Sequence, residues 1–149
     1  MGKLLNIATR NASRAPMQTK DTATITIESG VEGDYRGTIK HRQVTVVARE
    51  AWALACVDLN TDIDWTARRA NLFIEGIDLN ETTGQQLHIG DVILEMTGET
   101  TPCPRMDEAY QGLQAALVPD WRAGATCTVL KGGQISVGDA VQIEAPVAV

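Results

Sequence analysis

Short runs in which Val, Ile and Thr alternate with other residues, many of them closed by glycine, constrain this chain more than any other feature. β-Branched side chains make up 39 of its 149 residues. They crowd the turns of a helix and fit the pleated surface of a sheet. From Thr22 to Glu28, Ala23, Ile25 and Ile27 alternate with threonines, which is the period of a strand with one buried face. The same reading predicts strands over Gln43–Ala48, Leu72–Glu75, Val92–Met96, Thr126–Lys131 and Ala140–Glu144. Lys131-Gly132-Gly133-Gln134 predicts a tight antiparallel hairpin, because a glycine pair tolerates the positive φ of a primed turn.

Two segments keep helical spacing. Arg49–Leu59 places Trp52, Ala55, Cys56 and Leu59 on one face. Asp107–Leu117 carries Tyr110, Leu113 and Leu117, with Asp107 as N-cap and Pro119 as a stop. Short strands with few helices predict a mainly β fold, a closed or partly open β-barrel with two or three peripheral helices. At 149 residues, with no linker or charge run, one domain over 1–149 is expected.

Thirteen Lys and Arg against nineteen Asp and Glu give a net charge of −6, the wrong sign for a nucleic-acid binder. No apolar run reaches the length of a membrane span and none near the start suits a signal peptide, so a cytoplasmic chain with no membrane partner is expected. Cys56, Cys103 and Cys127 are odd in number and far apart, which disfavours a disulfide framework or a zinc site with four protein ligands. A metal would more naturally arrive inside a cofactor.

Cys56 and Cys127 fall on apolar faces and read as small buried hydrophobes. Cys103 differs, because Pro102 and Pro104 exclude regular structure around it and its segment joins a strand to a helix beside Arg105. A helix start and a cation both favour thiolate, the form that attacks sulfur or ligates metal. Among the basic residues Arg outnumbers Lys nine to four, and the guanidinium fork suits oxyanions. Arg68-Arg69-Ala70-Asn71 precedes one strand and His41-Arg42 another. If those strands share a barrel, the donors gather at strand beginnings and hold an anion; the competing reading makes Arg68 and Arg69 a solvated pair.

The succession Gly30-Val31-Glu32-Gly33-Asp34, His41-Arg42-Gln43-Val44, Arg68-Arg69-Ala70-Asn71-Leu72, Gly76-Ile77-Asp78-Leu79, Leu87-His88-Ile89-Gly90-Asp91, Pro102-Cys103-Pro104-Arg105-Met106 and Gly132-Gly133-Gln134-Ile135 with Val137-Gly138-Asp139 resembles a MOSC domain, the domain at the C-terminus of molybdenum cofactor sulfurases. The likeness covers about residues 22–145. It implies a barrel of the pyruvate kinase barrel-domain type and a role in molybdenum cofactor or sulfur-transfer chemistry. Cys103 would carry a persulfide sulfur or ligate molybdenum. Arg68, Arg69 and Asn71 would contact the anionic cofactor, molybdopterin, with Arg42 and Arg105 as further candidates. Where many relatives carry a His after Gly33-Asp34, this chain has Tyr35-Arg36. The pyridoxal-phosphate desulfurase domain of the sulfurases is not expected in this chain, so a cysteine desulfurase or a molybdenum cofactor-handling protein is the expected partner. The alternative from another class is a non-catalytic β-barrel module that binds a small anion or a partner protein, with Cys103 structural.

Overall fold

The alternation of buried and exposed residues along the β-branched runs closes a sheet on itself. The computed structural model describes residues 1–145; the last four positions of the domain expected over 1–149 lie outside the described residues. In chain order the elements are β1 (Gly2–Thr9), β2 (Gln18–Lys20), β3 (Thr22–Thr26), β4 (Gly30–Val31), β5 (Val44–Ala48), α1 (Arg49–Asp58), β6 (Leu72–Glu75), β7 (Gln86–Ile89), β8 (Val92–Glu99), α2 (Arg105–Ala109), α3 (Leu113–Ala116), β9 (Ala125–Lys131), β10 (Gly133–Ser136) and β11 (Ala140–Glu144). Seven strands run in the order β11-β7-β8-β9-β5-β6-β1, and β1 pairs back with β11 through Gly2 opposite Val141 and Lys3 opposite Ala140. The barrel is closed, which leaves those strands without a free edge. β10, β3 and β4 form a separate small sheet.

Two apolar clusters follow from the two faces of the strands. Leu4, Ile7, Val44, Val46, Leu72, Ile74, Leu94 and Cys127 point into the barrel and are fully buried. Ala8, Val47 and Phe73, on the other face, pack under Trp52, Trp65, Met106, Leu113 and Leu117. Each large aliphatic side chain so buried contributes about 1.5–3 kcal/mol.

Two local expectations are corrected. Lys131-Gly132-Gly133-Gln134 is not a hairpin: β9 pairs with β8 and β5, and β10 pairs with β3. The glycine serves close approach instead, since a Cβ on Gly132 would stand 2.5 Å from the Ile25 carbonyl oxygen. The helix expected over Asp107–Leu117 is two helices, broken where Tyr110 turns extended and Gly112 adopts φ +93°, a conformation glycine tolerates and other residues resist. Asp107 is not an N-cap of the first helix, which Pro104 begins. Its carboxylate instead accepts the Gln114 N–H at 3.0 Å in the first turn of the second.

Candidate functional site

β5 and β6 are parallel neighbours, so the segments that precede them meet at one end of the pair, beside the end of antiparallel β1. Arg42, Arg68, Arg69 and Asn71 thereby come together with Arg105 and Cys103 along one cleft of about 250 Å³. The cleft also takes in Arg10 at the end of β1 and Asp34 and Arg36 from the loop after β4. Six of the nine arginines therefore line one depression whose walls are more polar than apolar.

The other three arginines are each paired with a carboxylate: Arg14 with Glu108 at 3.6 Å, Arg49 with Glu75 at 2.7 Å and Arg122 with Asp58 at 2.6 Å. Among the described residues no side-chain ion pair involves any of the six in the cleft. Asp34, the carboxylate among them, accepts the backbone N–H groups of Arg10 at 3.1 Å and Arg36 at 3.3 Å. Among the described residues, buried donor nitrogens are left without an acceptor at Arg10 Nη1, Arg42 Nε and Arg69 Nε in the cleft, and at Trp65 Nε1 and Arg122 Nε outside its lining. A native interior rarely tolerates such donors unless a ligand, ion or water supplies the partner.

Each guanidinium has a local reason for its place. Trp65 stacks on Phe73 with ring centroids 5.0 Å apart, and Asp64 accepts the Thr66 N–H at 2.9 Å. These contacts fix the 3-10 turn Trp65–Arg68. Arg68 is buried, and its Nε donates to the Ala123 carbonyl at 2.7 Å. Burial lowers its pKa well below the ordinary arginine value, to about 10. The expected alternative of a solvated Arg68–Arg69 pair is thus corrected for Arg68. Arg69 closes the turn in the left-handed region at φ 62° and donates to the Ala15 carbonyl.

Arg10, Arg42 and Arg69 are lowered too, first by burial and then by neighbouring arginines. Asn71 lies in the wall with its amide engaged by the fold: its oxygen accepts the Thr45 N–H at 3.1 Å and its nitrogen donates to the Ala8 carbonyl at 3.2 Å.

Tyr35-Arg36, the departure from the resembled family, organises one side. The Tyr35 hydroxyl accepts from Arg36 Nε at 2.7 Å and Arg10 Nη2 at 3.4 Å. Its ring lies 5.0 Å from the Arg10 guanidinium and 5.3 Å from that of Arg36, a cation–π arrangement. Burial would raise the phenol, but the Arg36 hydrogen bond and the Arg10 charge bring it below its ordinary value.

The loop is held by Gln43, which is buried. Its amide nitrogen donates to the carbonyls of Ile27 at 2.6 Å and Gly37 at 3.2 Å, and its oxygen accepts the Val129 N–H at 2.9 Å.

Cys103 is exposed in the irregular stretch between β8 and α2. Its carbonyl accepts the Met106 N–H at 2.9 Å, and Met106 is sunk in the outer apolar cluster, which anchors the loop. α2 has five residues, so the cationic setting of Cys103 rests on guanidiniums more than on a helix end. Arg42 and Arg68 lie within electrostatic reach of its sulfur. Cys56 and Cys127 are buried, and burial pushes the Cys127 thiol up to about 12. Among the described residues no three His, Cys, Asp or Glu side chains converge as a metal site, and no helix is long and apolar enough to cross a membrane.

Sequence reasoning missed Arg10, Arg36, Tyr35 and Gln43 as parts of the site. The excess of Arg over Lys was the one general signal for the first two.

The profile of the MOSC domain matches residues 24–142. Among solved structures, the YuaD protein of Bacillus subtilis is similar at TM-score 0.83 and 18% identity, over 97% of both chains. YiiM of Geobacillus stearothermophilus is similar at TM-score 0.75 and 12% identity, over 96% of this chain and 75% of that one. YiiM of Escherichia coli is similar at 0.71 and 15%, over 98% and 71%. At these identities the likenesses establish the fold. No protein of the curated set matches the chain.

Proposed function

The chain belongs to the MOSC domain family, related to the C-terminal domain of molybdenum cofactor sulfurases, and from that premise we propose that it binds molybdenum cofactor through the arginine-lined cleft, with Cys103 carrying a persulfide sulfur or ligating the metal. The observation that carries this reading is the set of six arginines that, among the described residues, have no carboxylate partner around an exposed thiol.

The residues present fit such a ligand. The buried nitrogens of Arg10, Arg42 and Arg69 lack acceptors, and a phosphate supplies several, in the planar geometry a guanidinium prefers. Arg10 and Arg69, with Arg105 near both, would hold the anionic end. Arg42 and Arg68 would neutralise charge at Cys103. The cofactor, when bound, supplies the redox chemistry. The protein's part is to bind, to orient and to present one soft thiolate.

The test is anaerobic incubation of the protein, Cys103→Ala and the double variant Arg42→Ala/Arg69→Ala with molybdenum cofactor, followed by desalting and measurement of molybdenum and pterin per chain. Near-stoichiometric retention by the protein, loss of both in the double variant and loss of molybdenum in Cys103→Ala are expected. No retention by the unaltered protein contradicts cofactor binding.

A further inference from the structure

We propose that the cleft accepts a small sulfane-sulfur oxyanion of the thiosulfate class and that Cys103 takes its outer sulfur. This rests on the sulfur-carrier form of the reading above and names the donor that form leaves open.

Three features of the cleft point to that class. Its walls are more polar than apolar, which suits a compact anion as well as the anionic end of a larger ligand. Among the described residues its cations lack carboxylate partners, and the buried nitrogens Arg10 Nη1, Arg42 Nε and Arg69 Nε point to an oxyanion as their missing acceptor. Arg10 itself is 8% exposed, so its unpartnered donor belongs to a built site and not to a solvated surface. Finally, the nucleophile beside these cations is a thiol, and the bond a thiolate opens readily in a small oxyanion is a sulfur–sulfur bond.

The step balances without any oxidant. The Cys103 thiolate attacks the outer sulfur of thiosulfate, a new Sγ–S bond forms, and the S–S bond to the sulfonate sulfur breaks. Its electron pair leaves with sulfite, so Cys103 becomes a persulfide anion. The total charge, a monoanion plus a dianion, is the same on both sides. The barrier to such a reaction is repulsion between the two anions, which clustered guanidiniums offset where water is displaced. Arg42 and Arg68 line the same cleft as Cys103, within electrostatic reach of its sulfur.

The experiment is anaerobic incubation of the full chain with thiosulfate, with sulfite assayed in solution and the intact mass of the protein read for one added sulfur atom. Sulfite release matched by one sulfur per chain is expected. It should be abolished in Cys103→Ser and slowed about a hundredfold in Arg42→Ala. A parallel incubation replaces thiosulfate with a cysteine desulfurase turning over cysteine. If that donor loads Cys103 and thiosulfate does not, the proposal is overturned and the sulfur-carrier reading stands. If neither loads it, both fail. Sulfite release that persists in Cys103→Ser also overturns the proposal.

Discussion

The two ends of β5 and β6 are built from opposite charge. At one end six arginines surround Cys103 in the cleft. At the other, Ala48, Ala51, Leu54, Ile77, Leu79 and Trp121 line a larger, mostly apolar pocket of about 520 Å³, joined by the acids Glu50, Asp78 and Asp120. The cation in that second pocket, Arg122, is tied to Asp58 at 2.6 Å.

The contrast teaches that net charge hides local field. A chain at −6 still gathers six arginines with no ion-pair partner among the described residues in one depression, because the paired arginines lie elsewhere. Holding them there costs stability. The fall of Arg68 from the ordinary arginine value to about 10 corresponds to about 3 kcal/mol against the folded state at neutral pH. A base lowered on folding binds protons more weakly in the native chain. The penalty is therefore full below about 10 and is relieved as pH rises from there toward the ordinary arginine value.

Four substitutions or labels would break or sharpen this contrast. The largest effect is in thiol reactivity. Raising Cys127 from 9.0 to about 12 lowers its thiolate fraction about a thousandfold. Alkylation of the native protein at pH 8 followed by peptide mass mapping should therefore mark Cys103 and spare Cys127. Equal labelling would contradict the assignment of the accessible thiol to the arginine end.

Next, Gln43→Leu removes the amide that binds the Ile27 and Gly37 carbonyls and the Val129 N–H. Urea unfolding should show a loss of about 3 kcal/mol.

Arg68→Met comes third. Relief of the buried charge offsets loss of the bond to the Ala123 carbonyl, so stability should stay within about 1 kcal/mol of the parent. Stabilisation by added phosphate, read by thermal unfolding, should nevertheless shrink. A variant that responds to phosphate like the parent would remove Arg68 from the anion site.

The smallest effect is at the acidic end. Glu50→Ala frees the exposed Gly76 N–H that its carboxylate accepts at 3.0 Å, costing about 1 kcal/mol and leaving the phosphate response unchanged.

How far the sequence disclosed this arrangement depended on whether a residue's role was local. The strands at β5, β6, β8, β9 and β11 were legible because the period of two survives, and so was the strand from Thr22, which nevertheless ends at Thr26 and leaves Ile27, expected on its buried face, exposed. β1 was not: its register shifts between Leu4 and Asn6, and a bulge of that kind breaks the alternation. Arg10 was hidden with it, since its place in the cleft is set by where β1 ends. Cys103, Arg42, Arg68 and Arg69 could be singled out from prolines, neighbouring charge and position before a strand, together with the family resemblance. Gln43 could not, because most of its partners, Ile27 just after β3 and Thr128 and Val129 of β9, are far away in the chain. The Gly132-Gly133 turn failed for a related reason, as the glycine answers to a neighbouring backbone and not to a local turn.

The most direct test of the central claim, that the cleft is an anion site made by unpaired arginines, is isothermal titration of the protein and of Arg42→Ala/Arg69→Ala with inorganic phosphate at fixed ionic strength. The account predicts one saturable site per chain, lost in the double variant and weakened by added salt, as expected for charge-driven binding. Absence of binding to the parent protein, or binding of the same strength in the double variant, would contradict it.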